Sequence, residues 1–232
     1  MPKDKPNQPS PGGGTVGGTS VGCPAKPVTD LVSPTPKLAD LPSEVSLSDD
    51  ACKSMQQMWN KSFDSSGNSQ EIAGTLAKDS SGNLVVLNQT SGSSGDSTPS
   101  TTVPSGYTYV GTVHTHPYGK NDGAWDGANL PFSDGDFSTL DDYNENVSAV
   151  QSGNNKYVLV KTQESANISD ADAKAEYKKA FDAEYAAQKA AGKSSADAAS
   201  AAGEKATAAV AKKYNWGYYK GTDCQKLSRV NP

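Results

Sequence analysis

The sequence predicts an α+β fold, a central mixed sheet flanked by helices, with an Ala-rich helical segment appended. Three observations carry this. Runs rich in Val, Ile, Thr and Tyr recur at "EIAGTLAK", "NLVVLNQ", "YTYVGTVHT" and "KYVLVKT", the composition of strands. Ahead of them, Ala51, Met55, Met58 and Trp59 recur at helical spacing. Residues 169–214 are dominated by Ala with interspersed Lys, Glu and Asp, all compatible with helix.

Taken in order, residues 1–45 are rich in Pro, Gly, Ser and Thr, as in "SPGGGTVGGTS" and "SPTP", and read as a disordered tail. A first helix starts near Ser46 or Ser48, because "SLSDD" supplies N-cap residues and acidic first-turn groups. Its Met and Trp positions are most simply core packing. "DSSGN" is a turn cluster between two β-prone runs, so a hairpin follows. After a Ser/Gly-rich stretch, the strand of "YTYVGTVHTHP" ends at Pro117, since proline cannot continue a central ladder. "SDGDFSTLDDYNEN" opens a short helix and "KYVLVKT" is another strand. The Ala-rich region forms one or two helices, broken near Gly192 or Gly203. The aromatic tail "YNWGYYKGTDC" packs back on the core. The expected organisation is a tail at 1–45, a core at 46–165 and an appended segment at 166–232.

Composition excludes several functions. Hydrophobic content is 34% and mean hydropathy is −0.65, so part of the chain is expected to stay uncompacted. A net charge of −5 argues against a nucleic-acid partner, which needs clustered Lys and Arg. No apolar run approaches a membrane span, and "MPKDKPNQPSPGGG" has no hydrophobic stretch of signal-peptide type. Cys23, Cys52 and Cys224 lack zinc-ribbon spacing. Their odd number leaves idle or buried thiols as the simpler expectation, with a Cys52–Cys224 bridge open in an oxidising compartment.

The chain has two histidines, both in "HTHP": His114 and His116. On a strand, residues two apart point to the same face, so two imidazoles can reach one ion. The plain alternatives are coincidence and a strand end whose histidines merely hydrogen-bond. A catalytic zinc site usually has three protein ligands and an open position. No cysteine lies nearby in sequence, so the third-ligand candidates are Asp122, Asp126, Asp134, Asp136, Asp141 and Asp142. Ser133-x-x-Asp136 also has the form of a capping box, with Ser133 as N-cap and Asp136 at the third helical position. A first-turn carboxylate stays ionised, which suits a metal ligand. Hydrolysis further requires a general base. Glu71 is the only Glu from position 45 to 144; alone, it reads as an exposed strand-edge carboxylate.

In combination, Glu71, His114-Thr115-His116-Pro117 and Ser133-x-x-Asp136 resemble the signature of the JAMM/MPN+ (JAB-like) zinc metallopeptidases. "EIAGTLAKDSSGN" is similar to the Glu-x-x-Gly strand and hairpin of that family, "VGTVHTHP" to its strand leading into the histidines, and "KYVLVKT" to the strand after its helix. The resemblance covers roughly residues 46–165 and is closest to bacterial toxin or effector members. It implies a cytidine-deaminase-like α/β/α arrangement, Zn2+ as cofactor, and His114, His116 and Asp136 as its ligands. It implies Glu71 as the acid/base that activates water and protonates the leaving amine, and Ser133 as an oxyanion donor. The chain departs from the family in its long loop: fifteen residues, 118–132, separate Pro117 from Ser133. That loop either reads substrate or is a tolerated insertion.

The resemblance implies hydrolysis of an amide or isopeptide bond. The Pro/Gly-rich head points to a secreted effector that is cytoplasmic before export and acts in a target periplasm on peptidoglycan peptides. An immunity protein or a secretion carrier would be its partner. The alternatives are a deubiquitinase-like isopeptidase and a non-catalytic scaffold that recruits a partner through residues 169–214.

Overall fold

The structure is a computed structural model that describes residues 24–93, 97–165 and 169–230. Its strands are β1 (Lys26–Pro27), β2 (Glu44–Ser46), β3 (Ile72–Lys78), β4 (Leu84–Ser91), β5 (Thr108–Thr115), β6 (Val147–Ser152), β7 (Asn155–Val160), β8 (Gly217–Asp223) and β9 (Lys226–Arg229). The helices are α1 (Asp49–Lys61), α2 (Asp136–Asp142), α3 (Asp170–Ala190) and α4 (Ser195–Lys213). All nine strands among the described residues join one mixed sheet in the order β1-β2-β9-β8-β7-β6-β5-β3-β4. The α+β class with a mixed central sheet is therefore observed.

Strand alternation divides the core into two layers. In β7, Val158 and Val160 join the cluster under α1, with Met55, Met58 and Leu76. Tyr157 and Leu159 face the other way, onto Phe137, Val210 and Trp216 beneath α2, α3 and α4. Helix α1 starts where its caps dictate: Ser48 Oγ accepts from the Ala51 amide, and Asp49 and Asp50 sit in the first turn. The Ala-rich region is two helices, and the break falls at Gly192, with φ +81°. Gly203 lies inside α4, where a Cβ would come 3.1 Å from Leu130 and Pro131. No helix among the described residues is long and apolar enough to cross a membrane.

Three expectations need correction. First, residues 24–45 are not a disordered tail: Val28, Leu31, Leu41 and Val45 are buried in the α1-side cluster, and β2 pairs with β9. Average composition hides these four anchors, whose docking surface is assembled from distant segments, Met55, Val158 and Leu227 among them. Residues 1–23, including Cys23, lie outside the described residues. Second, the C-terminal tail is part of the sheet, because β8 pairs with β7 and β9 with β8. Strands from both sides of position 165 thus share one sheet. Third, Cys52 and Cys224 form a disulfide, with Cα atoms 6.1 Å apart. Pairing needs α1 and the β8–β9 turn side by side, a neighbourhood that cysteine count does not encode.

Candidate metal centre

Strand register brings the predicted residues together. In the antiparallel β3–β5 pair, Ala73 lies opposite His114, so Glu71, two residues earlier, falls on the level of His116. Strand β6, not singled out from the sequence, flanks β5 on its other side, with Val150 opposite His114. The His116 amide donates to the Gln151 carbonyl at 2.9 Å. Thr115 points to the opposite face, where its Oγ1 lies 2.8 Å from Ser62 Oγ and accepts from the Ile72 amide at 3.0 Å. The residue between the histidines thereby fixes the backbone next to Glu71.

The approach of β5 to β6 requires Gly111, since a Cβ there would lie 1.7 Å from the Val147 carbonyl oxygen. Opposite it, Leu76 pairs with Gly111 and Ala77 with Tyr109. This bulge leaves Val110 as an extra residue, and both Val110 and Val113 reach the α1-side core.

Glu71, His114 and His116 are buried, with 6%, 8% and 8% of their surface exposed, and form a group that could hold a metal ion. The exposed-carboxylate reading of Glu71 is thereby excluded. The imidazole Nε2 atoms face each other at 3.0 Å. Asp136 Oδ1 lies 3.2 Å from His114 Nε2, and Asp136 Oδ2 lies 3.4 Å from His116 Nε2. Glu71 Oε1 is slightly farther away, at 3.8 and 3.6 Å. An ion 2.0–2.1 Å from each donor in a tetrahedron would hold them about 3.3 Å apart. The separations from the imidazole Nε2 atoms to one another and to the carboxylate oxygens bracket that edge, with Asp136 meeting the two rings through different oxygens. Two imidazoles with a carboxylate suit a borderline divalent cation. The donor set therefore fits zinc without singling it out.

Electrostatics point the same way. Burial opposes charge on His114, yet Asp136 beside it, with help from Glu71 and Glu145, raises its pKa to about 9. Burial and the charge on His114 together lower His116 to about 4, against the pull of Asp136. Burial works against ionising Asp136, but the two imidazoles override it and hold the carboxyl well below the usual range. Buried carboxylates need compensating positive charge. A proton on His114 supplies it in one way; a divalent cation bound by neutral imidazoles supplies it with direct bonds. The carbonyls of Pro131 and Leu130 also favour a charged His116 ring. Because His116 Nδ1 has no partner at hydrogen-bond geometry, they act as nearby dipoles.

Ser133 grips Asp136: its amide and its Oγ donate to Asp136 Oδ2 at 2.6 and 2.9 Å. The capping-box geometry differs from expectation, since α2 begins at Asp136 itself. Asp134 and Gly135 form a turn ahead of it, placing Asp136 at the first helical position. Asp126, Asp134 and Asp142 are exposed, and the side chain of Asp141 lies outside the described residues. Asp122 lines the cavity but is engaged locally, accepting from the Gly119 amide at 2.7 Å and Ser69 Oγ at 2.6 Å.

These groups line a cavity of about 370 Å3. Sequence reasoning missed three residues around it: Tyr118, Thr112 and Glu145. Tyr118 directly follows the His-Thr-His-Pro run and lines the cavity, which was a usable signal. Glu145 carried none. It is fully buried, its Oε1 accepts from Thr112 Oγ1 at 2.7 Å, and burial raises its pKa to about 7 against the Thr112 bond and the charge of His114.

Comparison with known families, curated proteins and solved structures returns no match to this chain.

Proposed function

We propose that the protein is a metal-dependent hydrolase that cleaves an amide bond of peptidoglycan peptides, with a JAMM-like division of roles. The buried Glu71-His114-His116 group, with Asp136 reaching 3.2 Å from His114 Nε2 and 3.4 Å from His116 Nε2, carries this reading. His114, His116 and Asp136 are the ligands, because Asp136 stands closer to both imidazoles than Glu71 does. A zinc ion held there would polarise the scissile carbonyl and bring the pKa of a water down to about 7. Glu71, set back from the imidazoles, takes the proton of the attacking water and returns it to the leaving amine. Ser133 lines the cavity. Its hydroxyl donates to Asp136 Oδ2, and because its amide holds the same oxygen, the hydroxyl can exchange that bond for one to the developing oxyanion while Asp136 stays held.

The Cys52–Cys224 bridge supports an oxidising place of action. This favours cell-wall peptides in a periplasm over ubiquitin-type conjugates in a reducing cytosol, and is consistent with an exported effector. Metal analysis of the purified protein tests the core of the proposal. Zinc near one ion per chain, lost in His116→Ala, is the expected result, together with muropeptide hydrolysis that disappears in Glu71→Ala. Protein that takes up no zinc, or zinc-loaded protein that cuts no muropeptide, overturns it.

A further inference from the structure

The 118–132 insert builds a second cavity against the first. It is an open concavity of about 220 Å3 lined by Trp125, Leu130, Tyr177 and Phe181, and it shares Tyr118 and Ser133 with the candidate metal-site cavity. Trp125 stands 5.8 Å from Phe181 and 5.9 Å from Tyr118, ring centre to ring centre. The wall is held in place from both ends. Ser69 Oγ donates to Asp122 Oδ2 at 2.6 Å, the Gly127 amide to the Tyr118 carbonyl at 2.9 Å, and the Asn129 amide to Ser200 Oγ on α4 at 2.8 Å. Such a pre-formed, mostly apolar concavity with a few placed polar groups is how ligand sites are built. The Ala-rich helices thereby take part in the cavity, since α3 supplies Tyr177 and Phe181 to its aromatic floor and α4 anchors the insert that supplies Trp125.

The rim is polar where the floor is aromatic. Ser133, Asp134, Lys178 and Asp182 supply its polar lining, and Lys178 and Asp182 pair at 2.5 Å, so that pair adds little net charge. An aliphatic or aromatic side chain would fill the floor and leave the rim's donors and acceptors unused. A sugar ring uses both: its C–H face lies on the aromatic rings and its hydroxyls and acetamido group meet the rim.

We propose that this cavity is a saccharide subsite that seats a hexosamine ring of a glycopeptide beside the amide to be cleaved. It rests on the amide-hydrolase reading of the metal centre. Tyr118 and Ser133 face both cavities, so the ring lies directly next to the scissile carbonyl. The bond selected is the amide joining the first stem residue to the lactyl carboxyl of the muramic acid. Water adds to that carbonyl, the C–N bond breaks, and the amine leaves with the proton that Glu71 took from the water. The products are a free stem peptide and a sugar carrying a free carboxylate.

The test compares zinc-loaded wild type, Trp125→Ala and the rim variant Asp134→Ala on three substrates. These are a muropeptide with its disaccharide, a lactoyl-stem peptide lacking the sugar, and a peptide with an aromatic residue beside the amide. The muropeptide is expected to be the best substrate. Trp125→Ala should raise its KM about tenfold, the loss typical of removing an aromatic anchor, with zinc content unchanged. Asp134→Ala should weaken the same arm while retaining the native melting profile, which guards against misfolding of the Trp variant. The free disaccharide should quench tryptophan fluorescence in wild type and not in Trp125→Ala. Equal cleavage of muropeptide and lactoyl-stem peptide, a preference for the aromatic peptide, or absent disaccharide binding overturns the subsite while leaving the hydrolase reading intact. Failure to cut any substrate overturns the hydrolase reading, and the disaccharide titration still decides the subsite.

Discussion

Replacing Cys52 and Cys224 by Ala together opens a bridge that spans 172 residues of sequence. Closing so long a loop lowers the entropy of the unfolded chain by about 17 cal/mol/K in the chain-entropy model, or about 5 kcal/mol at 25 °C. Both cysteines are only partly buried against the α1-side core, so the packing lost with two small sulfurs is minor. Native bridges return about 2–5 kcal/mol when removed, and the upper half of that range is expected here. In a chain of this size that lowers the melting temperature by about 10 °C. The assay is guanidinium unfolding of the oxidised protein and the double variant, both carrying Cys23→Ala so that no third thiol exchanges. Reductant should bring the oxidised protein to the variant's midpoint. A midpoint that moves by less than about 0.5 kcal/mol equivalent, with an unchanged denaturant slope, would refute the reasoning.

Two further outcomes follow from the site's surroundings. Gly111→Ala puts a Cβ 1.7 Å from the Val147 carbonyl, so β5 and β6 must separate; a loss of about 3 kcal/mol or more is expected in thermal unfolding, with weaker zinc retention because β5 carries His114. Glu145 has a pKa raised by burial to about 7 in the folded chain, above its unfolded value, so the native state holds its proton longer as pH rises. Its stabilising contribution is complete below about pH 4.5 and is lost by pH 7, on the order of 3 kcal/mol. Glu145→Gln should flatten stability over that interval, measured with a chelator present; an unchanged slope would show that another group titrates.

Much of the site was legible because its parts are short-range. The shared face of His114 and His116 follows from strand alternation, and the stop after Thr115 follows from Pro117. Ser133 and Asp136 are three residues apart and bond each other directly. The hairpin around "DSSGN" formed as expected, between Lys78 and Leu84. Other features were not legible. Burial of Glu145 follows from strand β6 and the turn before it, which no pattern in "NENVSAVQS" marked. Docking of Val28 and Leu31 depends on a surface that includes Leu227, and the Cys52–Cys224 pairing depends on the same closure.

The sequence by itself determined strands β3, β4, β5 and β7, the four main helices, the Ser48 cap and the short motifs, because those depend on side-chain period and on neighbours a few residues away. The tertiary structure decided which distant segments meet. It set Glu71 level with His116, brought residues 26–46 and 217–229 into one sheet, and folded the 118–132 insert onto α4 beside the candidate metal site. Such pairings are chosen by the free energy of burying two faces at once, and that quantity belongs to no single stretch of chain.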